Sequence, residues 1–308
     1  MTLSRRSFFK FLGASAGAVG AGALVAKTAT AAGPATARAA QDNTALLIDT
    51  TKCKGCRGCE AACAEANHLP GPSDLGQETA LDKNRKTDTE VYSVLNKRTK
   101  AGKTVFVKQQ CMHCVEPACA SACLAKALKK TPEGAVIYNE KVCIGCRYCM
   151  VACPFEIPRF EYAKALPYIK KCQLCYERQK QGKPIACASV CPTGALKFGK
   201  RAELLEEARG RIYRNPDNYV HHIYGEHEVG GTNVLYLASV PFEELGFKMD
   251  LGDKSYARLS SGALAAVPFI LTIGAPLLMG LYAATKVREA GHDEMATAAP
   301  DQKEDHHG

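Results

Sequence analysis

The chain has 308 residues, with 40 lysines and arginines, 31 acidic residues and 16 cysteines. Its formal net charge of +9 falls to +4 without residues 1–40, which hold five basic residues and no acidic one. The remaining basic residues are scattered, so nucleic-acid binding is not predicted. A disulfide framework is not predicted either, because such frameworks belong to small chains with dispersed cysteines, whereas these cysteines lie close together.

The N-terminus carries the pattern of a twin-arginine export signal. Residues 4–10 read SRRSFFK, an apolar run follows from Phe11 to Ala26, and small residues suited to signal cleavage surround Ala31, Ala37 and Ala39. We therefore expect residues 1–40 to be a signal peptide. This route exports folded proteins, so a group that needs reduced thiols can be inserted in the reducing cytosol before export.

The sixteen cysteines form four groups of four, which begin at Cys53, Cys111, Cys143 and Cys172. Groups one and three have the spacing C-x2-C-x2-C-x3-C, group two has C-x2-C-x4-C-x3-C, and group four has C-x2-C-x11-C-x3-C-P. The first of these spacings is that of bacterial ferredoxins, in which three close cysteines bind one 4Fe–4S cluster and the fourth binds another. Sixteen thiolates predict four such clusters. Four structural zinc sites satisfy the same arithmetic, but the repeated ferredoxin spacing favours clusters.

The order of the groups predicts which cysteines share a cluster. Groups two and three are separated by only 19 residues, so we expect them to form a two-cluster unit over residues 104–160. This inner unit is inserted into an outer unit made by groups one and four, and together they form a four-cluster domain over residues 41–198. Crossing of the fourth cysteine in each group then gives four sets of iron ligands. In the outer unit these are quartet A (Cys53, Cys56, Cys59, Cys191) and quartet B (Cys63, Cys172, Cys175, Cys187). In the inner unit they are quartet C (Cys111, Cys114, Cys119, Cys153) and quartet D (Cys123, Cys143, Cys146, Cys149).

Outside the cysteine groups the sequence predicts short strands and one amphipathic helix, and hence an α+β fold of two interleaved ferredoxin-like units with insertions. Residues 64–110 form a polar, turn-rich insertion that becomes strand-like at Thr104–Lys108. Ala135–Tyr138 and Val234–Leu237 are also predicted strands. Arg201–Ile212 is a predicted helix, with Leu204, Leu205, Ala208 and Ile212 on one face. We expect residues 199–258 to wrap the cluster domain and connect it to the membrane.

The C-terminal part predicts one transmembrane helix. Residues 259–285 carry no charge and span roughly 40 Å as a helix, against about 30 Å of bilayer hydrocarbon. Pro268 and Pro276 interrupt it, which membrane helices tolerate when neighbouring helices pack against them. Lys286 and Arg288 follow directly, so the positive-inside rule places residues 286–308 in the cytoplasm and the cluster domain in the periplasm.

A few polar side chains within the cysteine loops are open to more than one interpretation. His113 either tunes a cluster through a hydrogen bond or is simply packed. Lys54, Arg57 and Arg147 lie in ligand loops, where positive charge favours the more negative, reduced cluster. We interpret His221, His222 and His227 as structural or partner contacts, because their spacing is not that of a metal site.

The cysteine motifs also carry a resemblance over nearly the whole mature length. Residues 110–114 (QCMHC) and 143–155 (CIGCRYCMVACPF) resemble the four-cluster subunits of membrane-bound respiratory oxidoreductases. The leader, residues 223–226 (IYGE), residues 230–235 (GGTNVL) and the single C-terminal helix resemble most the iron–sulfur subunit of hydrogenase-2-type NiFe hydrogenases. One departure is that Ala64 and Leu124 follow the last cysteines of groups one and two, where ferredoxin-like runs often have proline.

The resemblance implies a non-catalytic electron-transfer subunit. Its expected partners are catalytic hydrogenase subunits, an integral membrane quinone-reactive subunit and membrane lipid, on the periplasmic side of the inner membrane. The beta subunit of a membrane-bound formate dehydrogenase resembles the chain in the same motifs, although there the leader typically lies on the molybdenum subunit. Other quinone-linked reductases, such as the polysulfide type, remain open. An alternative of a different class is a redox-silent scaffold held together by its metal clusters.

Overall fold

The computed structural model describes residues 43–100 and 102–297. It divides into a unit that ends at Ser255 and a second that begins at Tyr256. The predicted signal peptide and the last residues of the predicted cytoplasmic tail lie outside the described residues. Helices and strands are mixed in the first unit, as expected for an α+β chain, and the second is helical.

The described elements are mostly short. The strands are β1 (Thr44–Asp49), β2 (Val94–Lys100), β3 (Lys103–Gln109), β4 (Leu128–Lys130), β5 (Val136–Tyr138), β6 (Arg159–Phe160), β7 (Ile169–Lys170), β8 (Leu196–Lys200) and β9 (Val234–Leu237). The helices are α1 (Gly58–Ala66), α2 (Ala118–Ser121), α3 (Tyr148–Val151), α4 (Tyr176–Lys180), α5 (Ala186–Ser189), α6 (Arg201–Arg214) and α7 (Tyr256–Thr297). Short 3-10 turns cover Glu78–Leu81, Glu140–Val142, Pro216–Asn218 and Glu228–Gly230.

A three-stranded sheet in the order β8-β1-β9 forms the centre of the first unit. Strand β1 pairs antiparallel with β8 and parallel with β9. Leu46 and Ile48 pack into one apolar cluster, and Ala45 and Leu47 pack into another on the opposite face. Because both faces are covered, β1 is a nearly continuous apolar run and not an alternating one.

The predicted helix and strands are confirmed within a residue or two at each end. Helix α6 packs Leu204, Leu205 and Ala208 against the sheet, as its periodicity predicts. The segment 199–258, which we expected to wrap the cluster domain, also supplies β9, whose four residues are all buried.

Three two-stranded hairpins complete the first unit: β2-β3, β4-β5 and β6-β7. The longest pairs Val94–Lys100 with Lys103–Gln109, so the insertion predicted to be mostly polar turns contains a second strand. In β3, Val105 and Val107 join the main apolar cluster, while Phe106 and Lys108 lie on the other face of the strand.

Helix α7 is apolar and long enough to cross a membrane. The candidate span is Ala266–Lys286, with a mean hydropathy of 1.8. Pro268 and Pro276 lie within this helix without ending it. The helix continues past residue 285, where the predicted membrane span ends, to Thr297.

Candidate iron–sulfur sites

All sixteen cysteines lie in the first unit, and none of them forms a disulfide. In each group the third cysteine is the second residue of a helix. These four are Cys59 in α1, Cys119 in α2, Cys149 in α3 and Cys187 in α5. The fourth cysteine follows four residues later in every group. Helix α1 therefore holds Cys59 and Cys63, of two different predicted quartets, one turn apart. In the other three groups the fourth cysteine lies two residues past the end of its short helix.

The four ligand loops share a backbone turn. The residue just before the second cysteine has positive φ in every group: Gly55 at 78°, His113 at 49°, Gly145 at 70° and Leu174 at 53°. Glycine adopts this conformation freely, whereas a histidine or leucine does so rarely and at a cost. Backbone strain of this kind concentrates at functional sites, so its recurrence marks all four loops as parts of similar sites.

Cys191 lies beside the cysteines of group one, although it belongs to group four. Burial raises the pKa of the Cys53 thiol, the Gly55 N–H lowers it, and nearby Cys191 and Cys56 raise it further. A cavity at this place is lined by all four members of quartet A, together with Ile48, Phe106 and Lys108. The Cys191 thiol is an exception among its neighbours: burial acts to raise its pKa, but the Leu196 N–H and Thr193 outweigh it, so the pKa is lowered.

Cys63 lies beside the cysteines of group four in the reciprocal arrangement. Burial holds the pKa of Cys172 well above its ordinary value, and the adjacent Cys63 raises it further. Cys63 also adjoins Cys175 and Cys187, and burial raises the pKa of Cys187 to about 11. Helix α1, which carries Cys63, packs on α5, which carries Cys187. The four thiols of quartet B are thus brought together.

The inner groups cross in the same way. Burial holds the pKa of Cys114 well above its ordinary value, and Cys153, followed by Cys111 and Cys119, raises it further. Cys123 adjoins the third group, where burial raises the pKa of Cys149 to about 11 and Cys123 adds to the effect. A second cavity is lined by the four members of quartet D, along with Tyr138 and Ile169.

Neighbouring quartets are linked in one linear order, A-B-C-D. Burial raises the pKa of Cys59 of quartet A, and nearby Cys187 of quartet B raises it further. In the same way, Cys111 of quartet C adds to the raised pKa of Cys172 of quartet B. Cys149 of quartet D adds to the raised pKa of Cys119 of quartet C. The two exposed cysteines, Cys56 and Cys146, belong to the terminal quartets A and D.

The donor set fits 4Fe–4S clusters. Within residues 43–100 and 102–297, no three cysteine, histidine or acidic side chains are arranged to hold a single metal ion. The thiols of each quartet are close without converging on one point, which suits a cluster in which each thiolate binds a separate iron.

His113 is fully buried beside quartet C. Its Nδ1 accepts a hydrogen bond from the Val136 N–H at 2.9 Å, which leaves the proton of the neutral ring on Nε2. Burial, followed by nearby Lys171 and Lys130, holds the pKa of His113 well below its ordinary value. Nε2 has no acceptor among the described protein atoms. A buried donor left free in this way fits a cluster sulfur as its acceptor.

Three lysines beside the quartets have little exposure to solvent, which was not predicted from the sequence. Lys108 and Lys171 are buried and Lys130 is half-buried, although lysine is rarely buried without an anionic partner. The Lys130 ammonium donates to the carbonyl oxygens of Cys114 at 2.8 Å, His113 at 3.0 Å and Gly134 at 2.7 Å. Burial lowers the pKa of Lys130 to about 8, against the opposing effect of Cys114 and Cys111. No local sequence pattern distinguishes these lysines from surface ones.

The arginines predicted near the clusters have structural partners. Arg57 is buried and forms ion pairs with Glu60 at 3.0 Å and Asp74 at 2.7 Å. Arg147 stacks over the rings of Phe160 and Tyr162. The Lys54 side chain is exposed.

The histidines of the 221–227 segment have partners of an ordinary structural kind. His222 pairs with Glu228 at 2.6 Å and packs edge-to-face on Phe242. His227 lies 3.6 Å from Glu226. Both contacts agree with the structural interpretation of this segment.

Comparison with known proteins identifies the family. Residues 103–201 match the model of a 4Fe-4S dicluster domain. A Nitratidesulfovibrio vulgaris protein is 48% identical over 291 residues, covering 93% of this chain and 78% of its own length. The hydrogenase-2 operon protein HybA of Escherichia coli O157:H7 is 36% identical over 285 residues, covering 79% of this chain and 83% of HybA.

A formate dehydrogenase subunit is also a relative. The nitrate-inducible formate dehydrogenase iron–sulfur subunit of Escherichia coli K12 is 33% identical over 288 residues, covering 89% of this chain and 93% of that subunit. Sixteen cysteines and a dicluster domain mean that this chain, too, binds multiple 4Fe–4S clusters. The chain belongs to the family of 4Fe–4S electron-transfer subunits that includes HybA and the formate dehydrogenase iron–sulfur subunits.

Proposed function

We propose that the chain conducts electrons through four 4Fe–4S clusters, one held by each quartet, in the order A-B-C-D. The observation that carries this proposal is the crossed arrangement of thiols, in which Cys191 adjoins Cys53 and Cys63 adjoins Cys172. A ferredoxin-like unit inserted into another requires these contacts. The domain boundaries follow: an inner unit over residues 104–160 within an outer unit over 41–198.

Each bound cluster would supply a one-electron redox centre. The protein holds the thiolates in place, leaves no cysteine of the two central quartets fully exposed and leaves one cysteine of each terminal quartet exposed. Cys56 is exposed in quartet A and Cys146 in quartet D. Electrons would therefore enter at one of these ends and leave at the other. All sixteen cysteines are assigned to clusters, so we propose a conducting subunit without a substrate-activating site of its own.

The surface at the Cys146 end has the character of a permanent interface. Large apolar side chains are exposed around quartet D: Leu124, Val142, Ile144, Tyr148, Val151, Tyr162 and Leu166. Contiguous exposed apolar surface marks protein interaction sites, and tyrosine is enriched in them. We assign this surface to a partner subunit.

The place of Ser255, where the first unit ends, supports an assignment of partner subunits to the two terminal quartets. Ser255, the last residue of this unit, donates a hydrogen bond to the carbonyl oxygen of Glu116 at 3.2 Å. Glu116 lies between two ligands of quartet C, which adjoins quartet D. The last residue of the first unit thus lies beside the inner unit. We assign quartet D to the membrane quinone-reactive subunit and quartet A to the catalytic subunits.

We propose NiFe hydrogenase subunits as the catalytic partner, with the complex on the periplasmic side of the inner membrane and the C-terminus in the cytoplasm. The twin-arginine pattern of residues 4–10 and the likeness to HybA support this choice. The beta subunit of a membrane-bound formate dehydrogenase is the second candidate, supported by the likeness to the K12 subunit.

Metal analysis of the complex that copurifies from detergent-solubilised membranes separates these candidates. Nickel together with abundant iron is the expected result. Molybdenum or tungsten in place of nickel would contradict the hydrogenase assignment and favour a formate dehydrogenase or related reductase. Reductive titration of the purified complex tests the conducting role itself, because a scaffold with redox-silent clusters would give no signals that change with potential.

A further inference from the structure

Lys108 occupies an unusual place for a lysine. It lies near the end of β3 and is 1% exposed. The strand alternation places Lys108 on the same face as Phe106, and both residues line the cavity of quartet A. Pairing of Lys108 with Leu95 across the β2-β3 hairpin fixes its backbone position.

The hydrogen bonds of Lys108 fix its position but do not neutralise it. Its ammonium donates to the Oε1 atom of Gln110, a neutral acceptor that is itself buried. Its carbonyl oxygen accepts from the Tyr236 hydroxyl at 2.7 Å. Among the described residues, none of the salt bridges to a carboxylate involves Lys108. A buried cation of this kind requires some other anion nearby.

The thiols around Lys108 belong to two different quartets, because Lys108 lines the cavity of quartet A, and Cys59 of that quartet packs in one apolar cluster with Cys187 of quartet B. Burial acts to lower the pKa of Lys108, but Cys187, Cys59, Cys63 and Cys172 outweigh it and raise the pKa above its ordinary value. Cys59 belongs to quartet A, and the other three cysteines belong to quartet B. Helices α1 and α5, which carry three of the four cysteines, pack against each other. Lys108 is therefore placed between two quartets.

We propose that the Lys108 ammonium is a counter-charge shared by the clusters of quartets A and B and raises the reduction potentials of both. This inference rests on the proposed function, since it requires a cluster in each quartet. Adding an electron makes a cluster more negative, so a fixed buried cation stabilises the reduced form more than the oxidised form. One side chain thereby links the potentials of two adjacent centres. It also lessens the repulsion between them when both are reduced.

Lys108→Met tests this role, because methionine keeps a long flexible side chain and removes the charge. The full chain in its complex is titrated electrochemically, and the signals of each cluster are followed by electron paramagnetic resonance. Loss of the signal in Cys191→Ser and Cys63→Ser identifies the clusters of quartets A and B. We expect both of their potentials to become more negative by at least a tenfold change in the equilibrium constant for reduction, which is 59 mV for one electron. The reduction potentials of the clusters in quartets C and D should not change.

Two further variants separate the charge from the shape of the side chain. Lys108→Arg keeps the charge and should leave the potentials of A and B closer to the native values than Lys108→Met does. Lys103→Met removes an exposed lysine from the same strand and should move neither potential. If Lys108→Met loses a cluster, Gln110→Glu provides the same test, because it places a carboxylate against the ammonium and should lower the same two potentials.

The possible failures are distinguishable. Unmoved potentials in Lys108→Met, a shift of only one cluster, or an equal shift of all four would overturn the shared role of Lys108. If Gln110→Glu is used instead and the reduction potentials of the clusters in quartets A and B do not change, the shared role of Lys108 is overturned as well. Fewer than four cluster signals in the native complex, or iron too low for four clusters, would instead contradict the proposed function.

Discussion

Arg85 Nη2 lies 2.6 Å from the carboxylate of Glu60, which is buried immediately beside Cys59. The same carboxylate pairs with Arg57 at 3.0 Å and accepts a hydrogen bond from the Leu95 N–H. Glu60 thereby connects helix α1, which carries cysteines of quartets A and B, to the insertion and to strand β2. The insertion over residues 64–110 is thus held against the helix that carries the cluster cysteines by the ion pairs and the hydrogen bond of Glu60.

Glu60→Ala should destabilise the loaded protein strongly. The change leaves the Arg57 guanidinium buried without its adjacent carboxylate, and breaking a buried ion pair costs about 3–5 kcal/mol. The measurement is the temperature at which cluster absorbance is lost. Glu177→Ala is the matched control, because it removes an exposed carboxylate that pairs with Lys180 at the same 2.6 Å, and it should leave this temperature unchanged. Equal effects of the two variants would contradict the structural role of Glu60.

Cys191→Ser tests the crossing of the outer unit. Serine is a poor ligand for cluster iron, so the cluster of quartet A should be lost or altered, and about a quarter of the iron with it. Cys63→Ser should affect quartet B in the same way. The measurements are iron content and the cluster signals of the reduced protein. Loss of a different cluster in Cys191→Ser than in Cys53→Ser would show that the predicted crossing is wrong.

Gly55→Ala and Gly145→Ala form a matched pair in equivalent loops. Both glycines have positive φ, so alanine should cost about 1–2 kcal/mol at each. A Cβ at position 55 would lie 2.6 Å from the Phe106 ring, whereas at position 145 the nearest atom, in Phe160, is 4.0 Å away. Overpacking should add about 1–3 kcal/mol at position 55 only.

The readout for this pair is the thermal loss of cluster absorbance, with Gly55→Ala losing it at the lower temperature. The double variant Gly55→Ala with Phe106→Leu should recover part of the difference, since it removes the ring that the new methyl group meets. Indistinguishable single variants would mean that the loop relaxes away from Phe106.

Truncation after Ser255 should release a soluble domain that keeps its clusters. Ser255 is buried within the first unit, and the membrane-span candidate begins further on, at Ala266. Truncation after Gly246 is the contrasting variant, because it also removes Phe247, whose ring lies 4.6 Å from that of Tyr224 and 4.8 Å from that of Tyr236. We expect the longer fragment to be soluble and loaded and the shorter one to be unstable. A longer fragment that still sediments with membranes lacking the partner subunits would contradict the anchor role of α7.

Ile144→Glu should weaken binding of a partner subunit without loss of clusters. The side chain is 66% exposed beside Cys146, so a carboxylate costs little in the isolated chain but would be desolvated in an interface. The measurement is copurification of partner subunits, with iron content as the check on folding. Leu75→Glu, at an exposed apolar site in the insertion, is the control and should retain the partners.

The site residues that could be predicted are those marked by a pattern within a short stretch of sequence. Cysteine spacing depends on the geometry of one loop, so the groups could be recognised without knowing the fold. Helix α6 was predictable for the same reason, because the burial of Leu204 and Ala208 follows one period. The pairing of β1 with β9 has no such signal, since it joins segments far apart in the sequence.

The buried charges were unpredictable for a different reason. Lys108 lies near the end of β3 in a pattern that equally suits a solvated edge, and nothing in the sequence marks Glu60 as buried or Lys130 as half-buried. Their burial depends on partners that only the tertiary structure brings close: guanidinium groups for Glu60, carbonyl oxygens for Lys130 and thiolates for Lys108.

The position of β1 in the sheet has a consequence for biogenesis. Both of its partner strands emerge from the ribosome after the last cysteine, and Thr50 bonds to the Leu237 carbonyl oxygen across 187 residues of sequence. Contacts of such long range form late and slowly. Strand β1, which leads into the first cysteine group, therefore has no partner strand through most of translation. The sheet beside quartets A and B forms only once nearly the whole domain has been made. Strand β1 can therefore complete its pairing only after β9, the last of the described strands, has been made.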